Sequence, residues 1–126
     1  MKITRFTKEL ISSLLLLGML FGSNPLSANS IRIFTLSADE WAQPRSGPVL
    51  AEFSSVRSAV NYWAKGSDAA IIIRYPGEDS GELWAAELRD WLISLGVPAD
   101  YINLVSGSQQ ADEIKLVVGN RNELKL

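Results

Sequence analysis

Ile71-Ile72-Ile73-Arg74-Tyr75-Pro76-Gly77 places three β-branched apolar residues in a row and closes them with a proline-glycine breaker. Such a run reads as a strand buried on both faces of a sheet. From Gly81 to Leu95 the apolar spacing becomes helical, so the breaker marks the passage from strand to helix. In a sheet with helices packed on it, that junction is a usual place for a ligand.

The chain on either side supplies the remaining elements. Upstream, Val49, Leu50, Phe53, Val56, Val60 and Trp63 recur at steps of three and four, which predicts one helix over 48–65. Pro48 suits its first turn, and Gly66 is the expected left-handed stop. Downstream, Leu83, Trp84, Leu88, Trp91, Leu92 and Leu95 repeat the pattern until Gly96, with Pro98 two residues beyond. Ile31-Arg32-Ile33-Phe34-Thr35-Leu36 alternates as a first strand should, with Ile33 and Ile31 assigned to the inner face. Ser37-Ala38-Asp39-Glu40 has capping-box spacing, so a single helical turn is expected around Trp41 before Pro44 ends it. Strands over 101–105 and 113–118 complete the set, the polar stretch 106–112 separates them, and the tail 119–126 has no period and is expected to fray. The element order strand, helix, strand, helix, strand, strand predicts an α/β fold of α+β sandwich type. Right-handed crossovers place both helices on one face of a small mixed sheet. A hairpin-like turn can join the last two strands only if they are antiparallel.

The first thirty residues stand apart. Lys2, Arg5 and Lys8 precede the apolar run Leu10 to Phe21, and Leu26-Ser27-Ala28 follows with small residues, the order of a secretory signal over 1–28. The run is well short of the roughly 20 residues that cross a bilayer, so no stable membrane insertion is expected after cleavage. Without Lys2, Arg5, Lys8 and Glu9, the twelve basic and fourteen acidic residues fall to nine and thirteen, a net charge of −4. An acidic domain without a basic run is a poor partner for nucleic acid, whose binding rests on neutralising phosphates. The chain contains no cysteine, which excludes disulfides and a lipid anchor through cysteine. About 98 residues remain, enough for one domain over 31–118 with a modest core.

Asp90-Trp91-Leu92-Ile93-Ser94-Leu95-Gly96-Val97-Pro98-Ala99-Asp100-Tyr101-Ile102 resembles the helix-to-strand segment of OmpA-like C-terminal domains, in which an apolar helix ends in a Leu-x-x-x-Gly-(Val/Ile)-x-x-x-x-Ile run. Element order over 31–118 agrees, from Phe34-Thr35-Leu36 to Ile114-Lys115-Leu116-Val117-Val118. The resemblance implies a periplasmic domain of the cell envelope. It also implies a site for the diaminopimelate stem peptide of peptidoglycan, built on an Asp in the loop after the second strand and an Arg at the start of the second helix. The matched positions here are Pro76 or Gly77 for the Asp and Trp84 for the Arg, with Glu78 and Asp79 in a shortened loop. A ligand carboxylate without the guanidinium loses a contact worth about 1.5–3 kcal/mol. The expectation is therefore a binding module whose partner is an envelope protein, the alternative being a peptidoglycan-binding domain of altered specificity.

The binding candidates are Arg74, Tyr75, Glu78, Asp79 and Trp84. Glu78, Asp79 and Glu82 form an acidic cluster, but Asp79 and Glu82 have capping-box spacing and the helix dipole favours carboxylates there, so capping is preferred to a cation or ammonium site. Of Trp41, Trp63, Trp84 and Trp91, the last three lie on or beside apolar helical faces, where core packing is the default. Trp84, standing in place of a family charge, would suit a protein or glycan surface if exposed. Arg74 and Tyr75, with Arg45 from the earlier loop and Asp79, offer a charge pair for a peptide, although an internal salt bridge explains them as well. With no His and no Cys, the commonest general base, the thiolate nucleophile and the usual zinc ligands are lacking. Lys65, Lys115 and Lys125 adjoin no glycine-flanked Ser in a strand-to-helix elbow. No enzyme activity, cofactor or metal is expected.

Overall fold

The computed structural model describes residues 31–126, so the expected secretory segment lies outside the described residues. Strand β1 (Arg32–Ser37) leads through three helices, α1 (Ala38–Trp41), α2 (Gly47–Glu52) and α3 (Ser54–Lys65), to strand β2 (Ala69–Tyr75). Helix α4 (Asp79–Ser94) and a 3-10 turn (Ala99–Tyr101) follow, then β3 (Ile102–Ser106), β4 (Glu113–Asn120) and α5 (Arg121–Leu124). The four strands make one mixed sheet in the order β1-β4-β2-β3. β2 and β3 are parallel, and β4 runs antiparallel to both β1 and β2. β3 and β4 therefore run in opposite directions but are not neighbours, because β4 inserts between β1 and β2.

Period-two alternation divides the sheet into a covered and an open face. Leu36, Ile71, Ile73, Ile114, Leu116 and Val118 are fully buried and cluster with Leu50, Val56 and Ala59 of α2 and α3 and with Ala85, Leu88 and Leu92 of α4. Each fully buried Leu or Ile contributes about 1.5–3 kcal/mol. Both long helices thus cover one face of an α+β sandwich, as the element order requires. On the other face Ile72 lies in register between Val117 and Asn103, and Arg74 between Lys115 and Val105. Ile72 is nearly closed off even without a covering helix, whereas Arg74 is exposed.

Several expectations need correction. In β1 the assigned parity is reversed: Ile33 is 62% exposed on the open face, and Phe34 and Leu36 face the helices. Register is the cause, since Phe34 pairs with Leu116 and Leu36 with Ile114, the core residues of β4. The expected single helix over 48–65 breaks at Phe53, whose ψ of 117° is extended. Ser54 and Ser55, both modest helix formers, follow it, yet α3 starts without a side-chain cap and the buried Ser55 Oγ finds no partner among the described residues. Gly66 is extended (φ −81°, ψ 158°), and the left-handed turn into β2 is made by Asp68 at φ 49°. A side chain at Gly66 is excluded for another reason: its Cβ would stand 2.8 Å from the Ala69 Cβ. Tyr101 belongs to the 3-10 turn and not to β3.

The tail is structured where fraying was expected. β4 extends to Asn120, whose side chain caps α5 by accepting from the Asn122 N–H at 2.9 Å and donates to the Ser67 carbonyl. The Arg121 guanidinium lies 4.6 Å from the Tyr101 ring centre and donates to the Asp100 carbonyl. The Ser37–Glu40 capping box, by contrast, forms as its spacing predicts, with both reciprocal bonds present. Gly96 takes the left-handed conformation expected after a helix, at φ 109°.

Candidate functional site: a tryptophan-lined cleft

Because β1, β2 and β3 are parallel, their carboxyl ends and the start of β4 meet at one end of the sheet. The elements leaving that end frame a cleft of about 430 Å³. Trp41 of α1 forms one wall, Gly81, Leu83, Trp84 and Glu87 of α4 form the other, and Ala111 closes it from the β3–β4 loop. The frame is tied together by backbone hydrogen bonds. The Ala38 N–H donates to the Asp112 carbonyl at 2.8 Å, and the N–H groups of Gly107 and Ser108 both donate to the Tyr75 carbonyl at 3.0 Å. The β3–β4 loop is thereby held against the end of β2, and α1 against that loop.

Each wall follows from local sequence. The Ser37 capping box starts α1 and brings Trp41 into the core at 9% exposure. Its ring meets Trp84 with centroids 6.1 Å apart and planes inclined by 31°, a tilted contact within the separation aromatic pairs prefer. Buried Pro76 and Gly81 let the start of α4 close onto the loop. Leu83 then projects one position from Trp84 and is 73% exposed, the most exposed of the large apolar side chains described. The Trp84 Nε1 is sealed from solvent and finds no acceptor among the described residues.

Charge is arranged around this apolar floor. Arg45 reaches in from the loop after α1, donates to the Trp41 carbonyl at 2.6 Å, stacks 4.5 Å from the Trp41 ring centre and pairs with Glu87 at 3.0 Å. Glu78 and Asp79 are exposed at the start of α4. The expected Asp79–Glu82 capping box does not form. Glu78 is the N-cap, it makes no side-chain cap bond, and Asp79 is the first helical residue. The helix thus begins one residue early, leaving both carboxylates to the favourable dipole alone.

The five candidates are only partly gathered. Trp84 lines the cleft, with Glu78 and Asp79 at its α4 end. Tyr75 packs against the core on the helix face. Arg74, one residue earlier in the pleat, is on the opposite face of the sheet, so it does not join Asp79 or Arg45 there. Period-two alternation alone separates Arg74 from Tyr75. Glu87 was not singled out from sequence, because it sits among ordinary polar helical positions and its partner Arg45 lies 42 residues away. Leu83 was assigned to the apolar helical face, and only its exposure reveals it as cleft surface.

A second concavity, about 340 Å³ at the opposite end of the sheet, is lined by Tyr62, Lys65, Asn120 and Glu123 among others. Among the described residues no group of three or more His, Cys, Asp or Glu is placed to hold a metal ion. Nor is any helix among them long and apolar enough to cross a membrane. In comparisons with known proteins, no family model matches the chain and no curated protein matches it.

Proposed function

We propose that the chain is an exported, non-catalytic binding module of OmpA-like fold that acts in the periplasm, where its cleft over Trp41, Leu83 and Trp84 holds a protein partner of the cell envelope. The observation that carries this is the replacement of a charge by an aromatic at the site. Trp84 occupies the matched Arg position and lines an open cleft beside a Leu that is 73% exposed. Apolar surface of that kind, rimmed by charge, suits a protein interface, where Trp is enriched among the residues that carry binding energy. Further support comes from the segment 90–102, in which α4 ends at Ser94, Gly96 turns left-handed and β3 starts at Ile102. The signal-like pattern of 1–28 supports export.

The test places a photocrosslinking residue at position 83 of the full-length protein in cells that produce it. A discrete adduct with an envelope protein is expected, and Trp84→Phe should leave it while Ala111→Trp, which fills the cleft from its exposed loop side, should remove it. Folded protein that yields no adduct would overturn the proposal. One observation keeps a second reading open to the same samples: the Arg45 guanidinium stands at the rim, paired with Glu87. A peptidoglycan module of altered specificity would use Arg45 and Asp79 in place of the family's charges. It requires the protein to sediment with isolated sacculi and Asp79→Ala to abolish sedimentation.

A further inference from the structure

We infer that the occupant of the cleft is a basic polypeptide segment, one that seats an apolar or aromatic side chain on Leu83 and the Trp41–Trp84 pair and sets Lys or Arg residues against the rim. This deepens the proposed function and rests on its identification of the cleft as a protein-binding surface. The apolar floor gives the anchor and the charge around it gives the sign. Glu87 lines the cleft, and Asp39, Asp79 and Asp112 are the immediate chain neighbours of its lining residues Ala38, Ser80 and Ala111. Asp39, Asp79 and Asp112 are exposed, as are Glu78 at the N-cap of α4 and Glu82 in its first turn.

Arg45 stands against these carboxylates on the same side, and Glu87 neutralises it at 3.0 Å. Arg74 is on the open face of the sheet, and Lys115 is paired with Glu113 at 2.9 Å. Several of the chain's other cations are remote: Lys65 ends α3, and Arg121 and Lys125 follow β4, so all three lie at the far end of the sheet. That end also carries Asp68, Asp100 and Glu123 and is close to neutral, so the excess of acid lies at the apolar cleft. A partner carrying the same sign would meet like-charge repulsion, whereas a basic segment is steered in and held in register.

The experiment selects a displayed library of random short peptides on the full-length protein. Enriched sequences are expected to share an apolar or aromatic anchor flanked by Lys or Arg. Leu83→Asp should weaken the selected peptides about tenfold or more, since it removes the exposed anchor contact. Glu87→Gln and Asp79→Asn should each weaken them about threefold, and added salt should do the same. Both charge variants leave buried packing untouched, so loss of folding does not intrude.

An acidic or uncharged consensus would overturn the inference, as would peptides that bind the Leu83→Asp protein equally well, or no enrichment at all. The crosslink at position 83 separates this from the proposed function. A cleft-dependent envelope adduct alongside an acidic consensus sinks the basic-segment inference alone. A basic, cleft-dependent consensus without any envelope adduct leaves the inference standing and sinks the functional proposal.

Discussion

The backbone carbonyl of Pro76 occupies the space into which a Cβ on Gly81 would project. Five residues apart, the two close the loop after β2 against the first turn of α4, and this contact sets where Leu83 and Trp84 stand. The overlap is with backbone, so no side-chain rotation relieves it. Gly81→Ala should cost about 1–3 kcal/mol, the range for overpacking a tight contact, even though Ala is the better helix former. Urea denaturation followed by tryptophan emission checks this. A stabilised Gly81→Ala protein would mean that loop and helix are not in contact.

Trp63 and Trp84 make opposite use of the same indole N–H. The Trp63 Nε1 donates to the Ala69 carbonyl at 2.8 Å, whereas the Trp84 Nε1 is buried with no acceptor among the described residues. A buried donor without a partner costs about 1–3 kcal/mol, and Phe removes it. Trp63→Phe should therefore destabilise the protein more than Trp84→Phe, by about 1–3 kcal/mol in paired denaturation curves. Equal losses would show that Trp84 has an acceptor after all.

The contrast also shows what spacing can and cannot carry. Steps of three and four put both tryptophans on apolar helical faces, and the run Ile71 to Ile73 identified the central strand, because periodicity is a property of neighbours in sequence. The break at Phe53 was hidden since Leu50, Phe53 and Val56 keep helical spacing on either side of it and are buried in both arrangements. Likewise Arg45 and Glu87 meet only because α1 and α4 pack together, a long-range fact that no local pattern contains. Arg74 was a different case, for the pleat itself sets it opposite Tyr75, and adjacency in sequence was mistaken for adjacency in space.

Strand β1 offers a direct test of face assignment. Leu36 is fully buried against the helices, while Ile33 is 62% exposed on the open face. Leu36→Ala should cost about 2–5 kcal/mol, and Ile33→Ala should stay within about 1 kcal/mol of the parent. The reverse ranking would restore the assignment of Ile33 to the inner face and shift β1 by one residue against β4, since a one-residue slip exchanges the faces of the whole strand.

Residues 121–126 contribute to the fold through contacts that reach back across the chain. The Arg121 N–H donates to the Asp68 carbonyl at 3.0 Å, its guanidinium covers the Tyr101 ring, and the Leu126 N–H closes on the Arg121 carbonyl. Together these hold the turn before β2 and the turn before β3 to the end of β4, so three connections share one residue. An exposed cation–π contact is worth about 0.5–1 kcal/mol and a hydrogen bond from a charged donor to a carbonyl somewhat more. Arg121→Ala should accordingly cost about 1–3 kcal/mol, with Arg121→Lys recovering part of it, because an ammonium can still approach the ring but lacks the planar guanidinium. Hydrogen exchange gives the local readout: protection of the Arg121 amide and the neighbouring ends of β2 and β4 should fall in Arg121→Ala while the centre of β2 keeps its own. A variant with unchanged stability and exchange would mean that the tail only rests on the surface, with the sheet end held by Asn120 and the β4 ladder alone.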